Sequence, residues 1–192
     1  MTPQERAVNL DRIAKAAVSI ERTHGVPAEL TTGQCIIESE WLKEAPGNNA
    51  FGLKSPRGAT HYQTITTTEH LTDAELKSVM DSGIEILAVS GVYVNGKRTI
   101  RLKDRFQVFA TLSECFEAYA DLLVSGLYFK DRFKRYLEHK DIERLLSDMS
   151  GADGQPKYFT GSGYADLWRR ITQQQNVKDA IAAARRAADT ET

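Results

Sequence analysis

Glu38 is the side chain whose type and position suggest chemistry most directly. It lies in the stretch Gln34-Cys-Ile-Ile-Glu38-Ser-Glu-Trp41, within the last turn of a predicted helix. The unpaired carbonyls and the negative dipole end of a helix disfavour a carboxylate there, and the neighbours Ile37 and Trp41 desolvate it further. Both effects raise the pKa of a carboxyl group. A carboxyl that stays protonated near neutral pH can donate its proton to a glycosidic oxygen, so the predicted chemistry is acid catalysis of sugar-bond cleavage.

The same local features also fit a solvated glutamate at a helix end, and on their own they favour that plainer interpretation. Glu40 shares the turn but is predicted to be a surface residue. A catalytic role for Glu38 therefore needs support from the rest of the chain.

Metal and thiol chemistry have weaker support. The four histidines are His24, His61, His70 and His139. They show no His-Glu-x-x-His motif and no close Cys/His spacing, so we expect neither a metal site nor a cofactor. Cys35 and Cys115 lie in apolar helical stretches, where buried free thiols are the ordinary interpretation, and a disulfide between them cannot be read from sequence. Cys35 has no surrounding pattern for a thiol nucleophile.

Composition limits the classes of partner. The chain has 192 residues, 41% of them hydrophobic and 27% charged, which suits one well-cored soluble domain. A formal net charge of −1 provides no basic field, so we expect no nucleic-acid partner. The apolar runs are too short for membrane insertion. Residues 1–7 lack the features of a secretory signal, which leaves phage or prophage release, specialised export, or a trimmed leader. We expect a monomer.

Two helices are predicted to position the Glu38 stretch. Apolar residues recur at three- and four-residue steps over residues 3–23, and His24-Gly25 is a natural helix end. Pro27 suits the first turn of a second helix that runs to about Trp41. The sequence 46–49, Pro-Gly-Asn-Asn, then breaks the helical pattern.

The middle and the end of the chain differ in character. Residues 52–109 are rich in Gly, Thr and β-branched residues, with helical spacing only around 72–80. The runs 84–94 and 98–102, joined by Asn95-Gly96, predict a β-hairpin with a tight turn. Helical periodicity returns afterwards in five segments. They begin with a Thr111/Glu114 capping box and follow near 130–138, 141–149, 164–173 and 176–188.

This pattern predicts an α+β fold that is mostly α. We expect one domain over residues 1–192, made of a helical body with a small β-rich lobe inserted at about residues 55–109.

Four ordered segments resemble the glucosaminidase family of peptidoglycan hydrolases (glycoside hydrolase family 73), which includes flagellar muralytic enzymes and autolysins. The first, 34–41, resembles the family's Ala-Gln-Ala-x-x-Glu-Ser-Gly-Trp-Gly run. The second, Asn49-Ala-Phe51-Gly52-Leu-Lys54, resembles Asn-x-Phe-Gly-x-Lys. The third, 106–123, resembles Phe-Arg-x-Tyr, Ser-x-x-Glu and Tyr-x-x-Leu-Leu. The fourth, Lys157-Tyr158-Phe-Thr160 with Tyr164-Ala165, resembles Gly-Tyr-Ala-Thr-Asp followed by Tyr-Ala.

The resemblance implies a lysozyme-like helical body with a β-lobe, and a hydrolase that cleaves β-1,4 bonds of peptidoglycan glycan strands as an endo-β-N-acetylglucosaminidase. It maps the family's general acid onto Glu38, whose local chemistry suits that role. The rival functions are a muramidase or lytic transglycosylase on the same fold, and a non-catalytic wall-binding or phage-structural module. One departure concerns the turn after Glu38, where Glu40 and Leu42 occupy the positions of two family glycines.

A second carboxylate usually assists glycoside hydrolysis. The family tends to place a glutamate after a Thr-Thr-Glu pattern in its β-lobe, and Thr66-Thr67-Thr68-Glu69 resembles that pattern. Glu69 is therefore the predicted second catalytic residue, with Glu85 and Glu75 as alternatives. The stretch from Glu69 to Asn95-Gly96 is longer than the family commonly has, and the choice between retention and inversion stays open.

Four further residues are predicted to bind substrate. Tyr158 matches the family tyrosine that faces the cleft, where its ring and hydroxyl suit a sugar, although packing on the following helix fits equally well without the motif. Asn49 is predicted to hydrogen-bond an N-acetyl group. Phe51 is predicted to shape the turn behind Glu38, and Tyr128 matches a position where the family often has a cleft tyrosine. Trp41 fits the core better than a sugar platform.

Overall fold

The computed structural model describes residues 1–56, 58–127, 129–152, 158–159 and 163–190. The chain divides into two compact units, one made of Met1–Phe51 with Phe109–Thr192 and the other of Gly52–Val108. The described helices are α1 Pro3–His24, α2 Ala28–Ser39, α3 Asp73–Asp81, α4 Leu112–Ser125, α5 Lys130–His139, α6 Ile142–Met149, α7 Tyr164–Thr172 and α8 Gln175–Thr190. The strands are β1 Gln63–Leu71, β2 Glu85–Val94 and β3 Lys97–Phe106.

Helix α1 has well-defined ends. Thr2 Oγ1 accepts a hydrogen bond from Glu5 N at 3.2 Å, while the Thr2 N–H donates to the Glu5 carboxylate at 2.6 Å. This reciprocal capping box satisfies N–H groups that a helix leaves unpaired at its start. The helix ends at Gly25, whose left-handed backbone (φ 73°) lets its N–H bond to the Glu21 carbonyl. The predicted first helix is confirmed.

Helix α2, which contains Glu38, is a largely buried helix of the first unit. Its buried residues are Ala28, Leu30, Thr31, Thr32, Gly33, Gln34, Cys35, Ile36 and Ser39. A Cβ atom at Gly33 would lie 2.4 Å from the Trp168 ring of α7, so the glycine is needed for the close approach of the two helices. Trp168 Nε1 also donates to the Leu30 carbonyl at 3.2 Å. These contacts hold α7, which begins at Tyr164, against α2.

The predicted end of α2 needs a small correction. The helix stops at Ser39 rather than near Trp41, because Glu40 already has a left-handed backbone (φ 46°) and caps the helix through its N–H to the Ile36 carbonyl. A similar correction applies at α4. Thr111 Oγ1 accepts from Glu114 N at 3.2 Å as expected, but the Glu114 carboxylate accepts from Ala110 N at 2.9 Å, so only half of the predicted capping box forms.

The second unit contains a three-stranded antiparallel sheet of order β1-β3-β2. The predicted hairpin is confirmed as β2 and β3, with Asn95 (φ 52°) and Gly96 (φ 73°) in the left-handed conformation that a tight hairpin turn requires. Strand β1 was not predicted. Its sequence, Gln-Thr-Ile-Thr-Thr-Thr-Glu-His-Leu, has strand-forming threonines but little apolar alternation, and it is held by pairing along its whole length with β3.

The described structure agrees with the fold class expected from the sequence, α+β and mostly α. Cys35 and Cys115 are both buried free thiols. Trp41 is half-buried rather than a core residue, and the Arg6 guanidinium lies 4.9 Å from its ring centroid. Within the described ranges, no helix combines the length and apolar character needed to cross a bilayer.

Candidate active site

Glu38 lies in the last turn of α2, as predicted, and the Tyr164 hydroxyl holds its carboxylate. Tyr164 Oη donates a hydrogen bond to Glu38 Oε1 at 2.8 Å. Tyr164 is the first residue of α7, and Gly163 before it has a left-handed backbone (φ 88°). The Tyr164 ring stacks on Phe159, with the ring centroids 3.9 Å apart and the planes 7° from parallel. The stacking fixes the direction in which the phenol points toward Glu38.

The surroundings of the Glu38 carboxyl determine its proton affinity. The residue as a whole is exposed to solvent, yet protein surrounds the carboxyl closely enough that desolvation raises the pKa of Glu38. The Tyr164 hydrogen bond acts in the opposite direction, because it favours the charged form, but it does not cancel the effect of burial. The predicted direction of the pKa shift is confirmed.

Three tyrosines interact electrostatically with the acid, and one of them, Tyr164, is hydrogen-bonded to it. Burial raises the pKa of Tyr119, Tyr158 and Tyr164, and the negative charge of Glu38 raises each of them further. All three phenols therefore stay protonated near neutral pH and can act as neutral hydrogen-bond donors. The Tyr119 ring meets the Tyr158 ring edge-on, at a centroid distance of 5.7 Å.

The structure gives different surroundings to the predicted substrate-binding residues. The Tyr158 ring packs edge-on against Phe129 at 5.8 Å, and its buried hydroxyl has no hydrogen-bond partner among the described residues. Asn49 is buried (5% exposed) in the turn that follows α2, where its N–H donates to the Pro46 carbonyl at 3.2 Å. Tyr128 lies outside the residues that the structure describes.

Phe51 is a packing residue in this site. Its ring is only 5% exposed; it stacks on Tyr119 at a centroid distance of 4.1 Å and meets Phe116 edge-on at 4.8 Å. Phe51 therefore supports the tyrosines around Glu38 from within the core.

The turn after Glu38 is built from left-handed residues that are not glycine. Glu40, Trp41 and Leu42 have φ angles of 46°, 63° and 67°. Ser39 Oγ accepts from Leu42 N at 2.9 Å, and Asn9 Nδ2 of α1 donates to the Trp41 carbonyl at 2.8 Å. The positions where the family pattern has glycine, Glu40 and Leu42, thus keep the glycine-like backbone without the glycine.

The candidate second carboxylates differ in their contacts. Glu69 is half-buried on β1, opposite the buried Ile100 of β3, and its carboxylate makes no hydrogen bond or ion pair within the described ranges. The Glu85 carboxylate accepts from Lys103 Nζ at 2.9 Å. The Glu75 carboxylate caps α3 by accepting from Thr72 N at 2.7 Å. Glu38 and Glu69 belong to different units.

The sequence patterns assign no role to Tyr164, Gln34 or Tyr119. Tyr164 belongs to the Tyr-Ala segment that matches the family, and Gln34 and Tyr119 belong to two other matching motifs. Gln34 precedes Glu38 by four residues, a spacing that places both on one face of α2. Tyr119 comes from α4, and nothing local in the sequence connects it with α2.

Solved structures with this architecture define the class of fold. A peptidoglycan hydrolase mutant from Sphingomonas sp. A1 is similar with a TM-score of 0.61 and 20% identity, over 92% of this chain and 99% of that one. The catalytic domain of the autolysin Auto from Listeria monocytogenes is similar with a TM-score of 0.65 and 19% identity, over 94% and 89%. The chain therefore has the lysozyme-like α+β fold of these proteins.

The family follows from the sequence match. The glucosaminidase family model, described as mannosyl-glycoprotein endo-β-N-acetylglucosaminidase, matches residues 14–177, and the chain belongs to this family. It is also 25% identical over 180 residues to the exo-glucosaminidase LytG of Bacillus subtilis (strain 168). That match covers 91% of this chain and 53% of the relative, so the chain spans about half the length of that curated relative.

Proposed function

We propose that this chain is a peptidoglycan hydrolase that cleaves β-1,4 glycosidic bonds of the glycan strand as an endo-β-N-acetylglucosaminidase, with Glu38 as the proton donor. The observation that carries the proposal is the Glu38 carboxyl, whose pKa is raised by desolvation and whose Oε1 lies 2.8 Å from Tyr164 Oη. Membership of the glucosaminidase family and the similarity to proteins named peptidoglycan hydrolases support the same substrate.

The proposed proton transfer depends on two features of Glu38, the desolvation that raises its pKa and the hydrogen bond from Tyr164. Protonated Glu38 gives its proton to the glycosidic oxygen as the bond to the anomeric carbon breaks, and the leaving sugar departs as an alcohol. A water molecule supplies the oxygen that bonds to the anomeric carbon, and the proton it releases restores the protonated enzyme. The raised pKa keeps part of the Glu38 population protonated before the reaction. The Tyr164 hydroxyl then donates to the new carboxylate, which stabilises the charge that remains on the enzyme.

A matched pair of variants tests the role of Glu38. Glu38→Gln keeps the shape and the acceptor oxygen for Tyr164 but removes the acidic proton. We expect its rate of cell-wall clearing to fall by at least about 100-fold, the usual contribution of general acid catalysis. Glu40→Gln makes the same change two residues away at an exposed position, where Glu40 only pairs with Lys43 at 3.1 Å, and should leave the rate unchanged.

Zymography and turbidity loss of purified walls measure both variants, with circular dichroism to confirm the fold. Clearing by Glu38→Gln at the rate of the unmodified protein would contradict the proposal. Absence of clearing by every version of the chain, including the unmodified one, would instead favour a non-catalytic wall-binding module.

Glu69 is our proposal for the second carboxylate. Its half-buried position and the lack of an ion pair within the described ranges support it over Glu85, which Lys103 neutralises, and over Glu75, which caps α3. We expect Glu69→Gln to lower the clearing rate by at least about 10-fold and Glu85→Gln to leave it unchanged. A larger loss in Glu85→Gln than in Glu69→Gln would transfer the role to Glu85.

The bond that is cut and the stereochemistry need separate measurements. Mass spectrometry of digested walls should find new N-acetylglucosamine reducing ends. N-acetylmuramic acid reducing ends would indicate a muramidase, and anhydro-N-acetylmuramic acid a lytic transglycosylase. Proton NMR of the first anomer released separates retention from inversion.

The remaining parts of the proposal concern the whole chain. We propose that the two units together form one catalytic domain that acts as a monomer on the bacterial wall. Tyr158, whose buried hydroxyl is unpaired within the described ranges, is proposed to contact the glycan. Asn49 is proposed to hydrogen-bond an N-acetyl group of the substrate, and Phe51 is proposed to shape the turn behind Glu38.

A further inference from the structure

Behind the Glu38–Tyr164 pair lies a second pair of polar side chains, Gln34 and Tyr119. Both are 0% exposed. Tyr119, on α4, donates its phenol proton to Gln34 Oε1. An amide and a phenol lose their bonds to water when they are buried, so this pairing is what allows them to lie in the core. Gln34 also lies one helical turn before Glu38, on the same face of α2.

The hydrogen bond from Tyr119 determines which polar group of the Gln34 amide is left to face the Tyr164 side. Because Oε1 accepts from Tyr119, the remaining polar group is Nε2, a buried donor that has no hydrogen-bond partner within the described ranges. Gln34 lies near enough to the Tyr164 phenol to affect it electrostatically. Burial is the main cause that raises the pKa of Tyr164, and the Gln34 side chain acts in the opposite direction.

We propose that Tyr119 and Gln34 are positioning residues for the Glu38 acid and act on it through Tyr164. Tyr119 fixes the orientation of the Gln34 amide through its bond to Oε1, and Tyr164 Oη donates to Glu38 Oε1 at 2.8 Å. The link between these two pairs is the proposed step, in which the unpartnered Nε2 of Gln34, one helical turn before Glu38, directs its N–H toward Tyr164 Oη. The inference rests on the proposed role of Glu38 in catalysis. It adds two residues that do not touch the carboxylate.

The chemical effect follows from cooperativity between hydrogen bonds. A phenol whose oxygen accepts an N–H becomes a stronger O–H donor, because each bond polarises the next. The series Tyr119, Gln34, Tyr164 therefore stabilises the carboxylate that Glu38 becomes once it has given up its proton. Removing a member should raise the proton affinity of Glu38 and slow the step that leaves it charged.

Carboxyl carbon-13 NMR of Glu38 tests the series without substrate. We expect the Glu38 titration midpoint to move to higher pH in Tyr164→Phe, and to move in the same direction by less in Tyr119→Phe. If Tyr119 acts through Tyr164, the double variant should titrate like Tyr164→Phe alone. Tyr136→Phe is the control, since the charged groups that affect its phenol are Glu21, Glu29 and Arg185 rather than Glu38.

Wall-clearing rates against pH give a second measurement. The activity of an enzyme that needs a protonated acid declines at high pH, and this decline should move upward in the same order as the NMR midpoints. We expect the maximal rate of Tyr119→Phe to fall by about 3- to 10-fold, the effect of losing one hydrogen bond. If Tyr119→Phe is unfolded by circular dichroism, Gln34→Met, which removes both donor and acceptor at similar length, takes its place with the same expected shift.

Two results would overturn the inference. One is a Glu38 midpoint in Tyr119→Phe, or in Gln34→Met, equal to that of the unmodified protein. The other is an equal further shift when Tyr119→Phe is added to Tyr164→Phe, since that indicates a general structural effect. The NMR midpoints do not depend on turnover. An inactive protein with the expected shifts would therefore contradict only the proposed function, and an active one without them would contradict only the inference.

Discussion

The environment of Glu38 favours the protonated carboxyl that acid catalysis needs, and it lowers the stability of the protein once the carboxyl is charged. Desolvation raises the pKa of its carboxyl in the folded protein, whereas in the unfolded chain the carboxyl has its ordinary value of 4.5. The folded state therefore binds the Glu38 proton more tightly than the unfolded state. Linkage requires that the contribution of Glu38 to stability is most favourable below pH 4.5 and is lost as the pH rises through the folded-state pKa.

Glu38→Gln should consequently stabilise the protein in a pH-dependent way. At pH 4, where Glu38 is protonated in the folded state, the two proteins should have similar melting temperatures. At pH 8 the unmodified protein must keep a desolvated charge, and we expect the variant to melt at a higher temperature. Calorimetry at the two pH values measures this, with Glu40→Gln as the control because Glu40 is exposed. A lower melting temperature for Glu38→Gln at pH 8 would contradict the assignment.

At the residue scale, the sequence predicted the acid but not the groups that act on it. The helix-end position of Glu38 and its motif are local features, readable within a few residues. The hydroxyl that holds it comes from Tyr164, 126 residues further along the chain, and the phenol that orients Gln34 comes from Tyr119, 85 residues from it. Contacts over such separations depend on how α4 and α7 pack on α2, which periodicity does not specify.

At the scale of elements, the turn after α2 stores backbone strain. The left-handed region is unfavourable by roughly 1–2 kcal/mol for residues with a Cβ atom. Glu40 and Leu42 have φ angles of 46° and 67°, and the Ser39 and Asn9 hydrogen bonds hold the chain in this conformation. The turn fixes the end of the helix on which Glu38 lies, so the strain is located beside the acid.

The substitution Glu40→Gly should relieve part of this strain. A glycine loses more conformational entropy on folding than a glutamate does, and this loss cancels about 0.4–1 kcal/mol of the relieved strain energy. We therefore expect Glu40→Gly to raise the free energy of unfolding by about 0.5–1 kcal/mol. Urea unfolding measures the change. Glu44→Gly is the control, because the Glu44 backbone is not among those with positive φ and the same substitution there should stabilise nothing. Equal effects at both positions would show that the strain at Glu40 is negligible.

The elements themselves were predictable where their signals are local. Helices α1, α3, α4 and α6 begin at capping side chains, and the hairpin has its Asn95-Gly96 turn. These local signals explain why the elements lie close to their predicted positions. Strand β1 lacks such signals. Its half-buried residues alternate with exposed threonines only because β3 pairs with it from Gln63↔Phe106 to Leu71↔Arg98, and that partner follows later in the chain.

At the scale of the whole molecule, the second unit is inserted in sequence between Phe51 and Phe109 of the first unit, and the segments of the first unit that flank the insertion are hydrogen-bonded to each other. Phe109 N donates to the Gly47 carbonyl at 2.9 Å, and Asn48 Nδ2 donates to the Phe109 carbonyl at 2.9 Å. The helical unit is thus continuous in space although it is interrupted in sequence. Its last helix, α8, packs on α1, so the first and last helices of the chain close the unit together.

Arg185 of α8 makes the principal ionic contact in this closure. Its guanidinium donates to the Glu21 carboxylate of α1 at 2.6 and 2.8 Å and to the Glu29 carboxylate of α2 at 2.8 and 2.9 Å. Burial alone would raise the pKa of Glu21, but the hydrogen bonds from Arg185 and the Ala28 N–H lower it overall. A carboxyl with a lowered pKa contributes stability above its ordinary value of 4.5, and this contribution is lost as the pH falls through the folded-state pKa.

Arg185→Met should therefore destabilise the molecule at neutral pH and much less in acid. The side chains are partly exposed and solvent screens them, so we expect a loss of only about 1 kcal/mol at pH 7. As the pH falls below 4.5, Glu21 becomes protonated in both proteins and the difference should shrink. Arg186→Met removes the same charge from the exposed neighbouring position and should have little effect. Urea unfolding at pH 7 and pH 3 decides the matter, since a loss that stays constant with pH would come from packing of the arginine stem rather than from its charge.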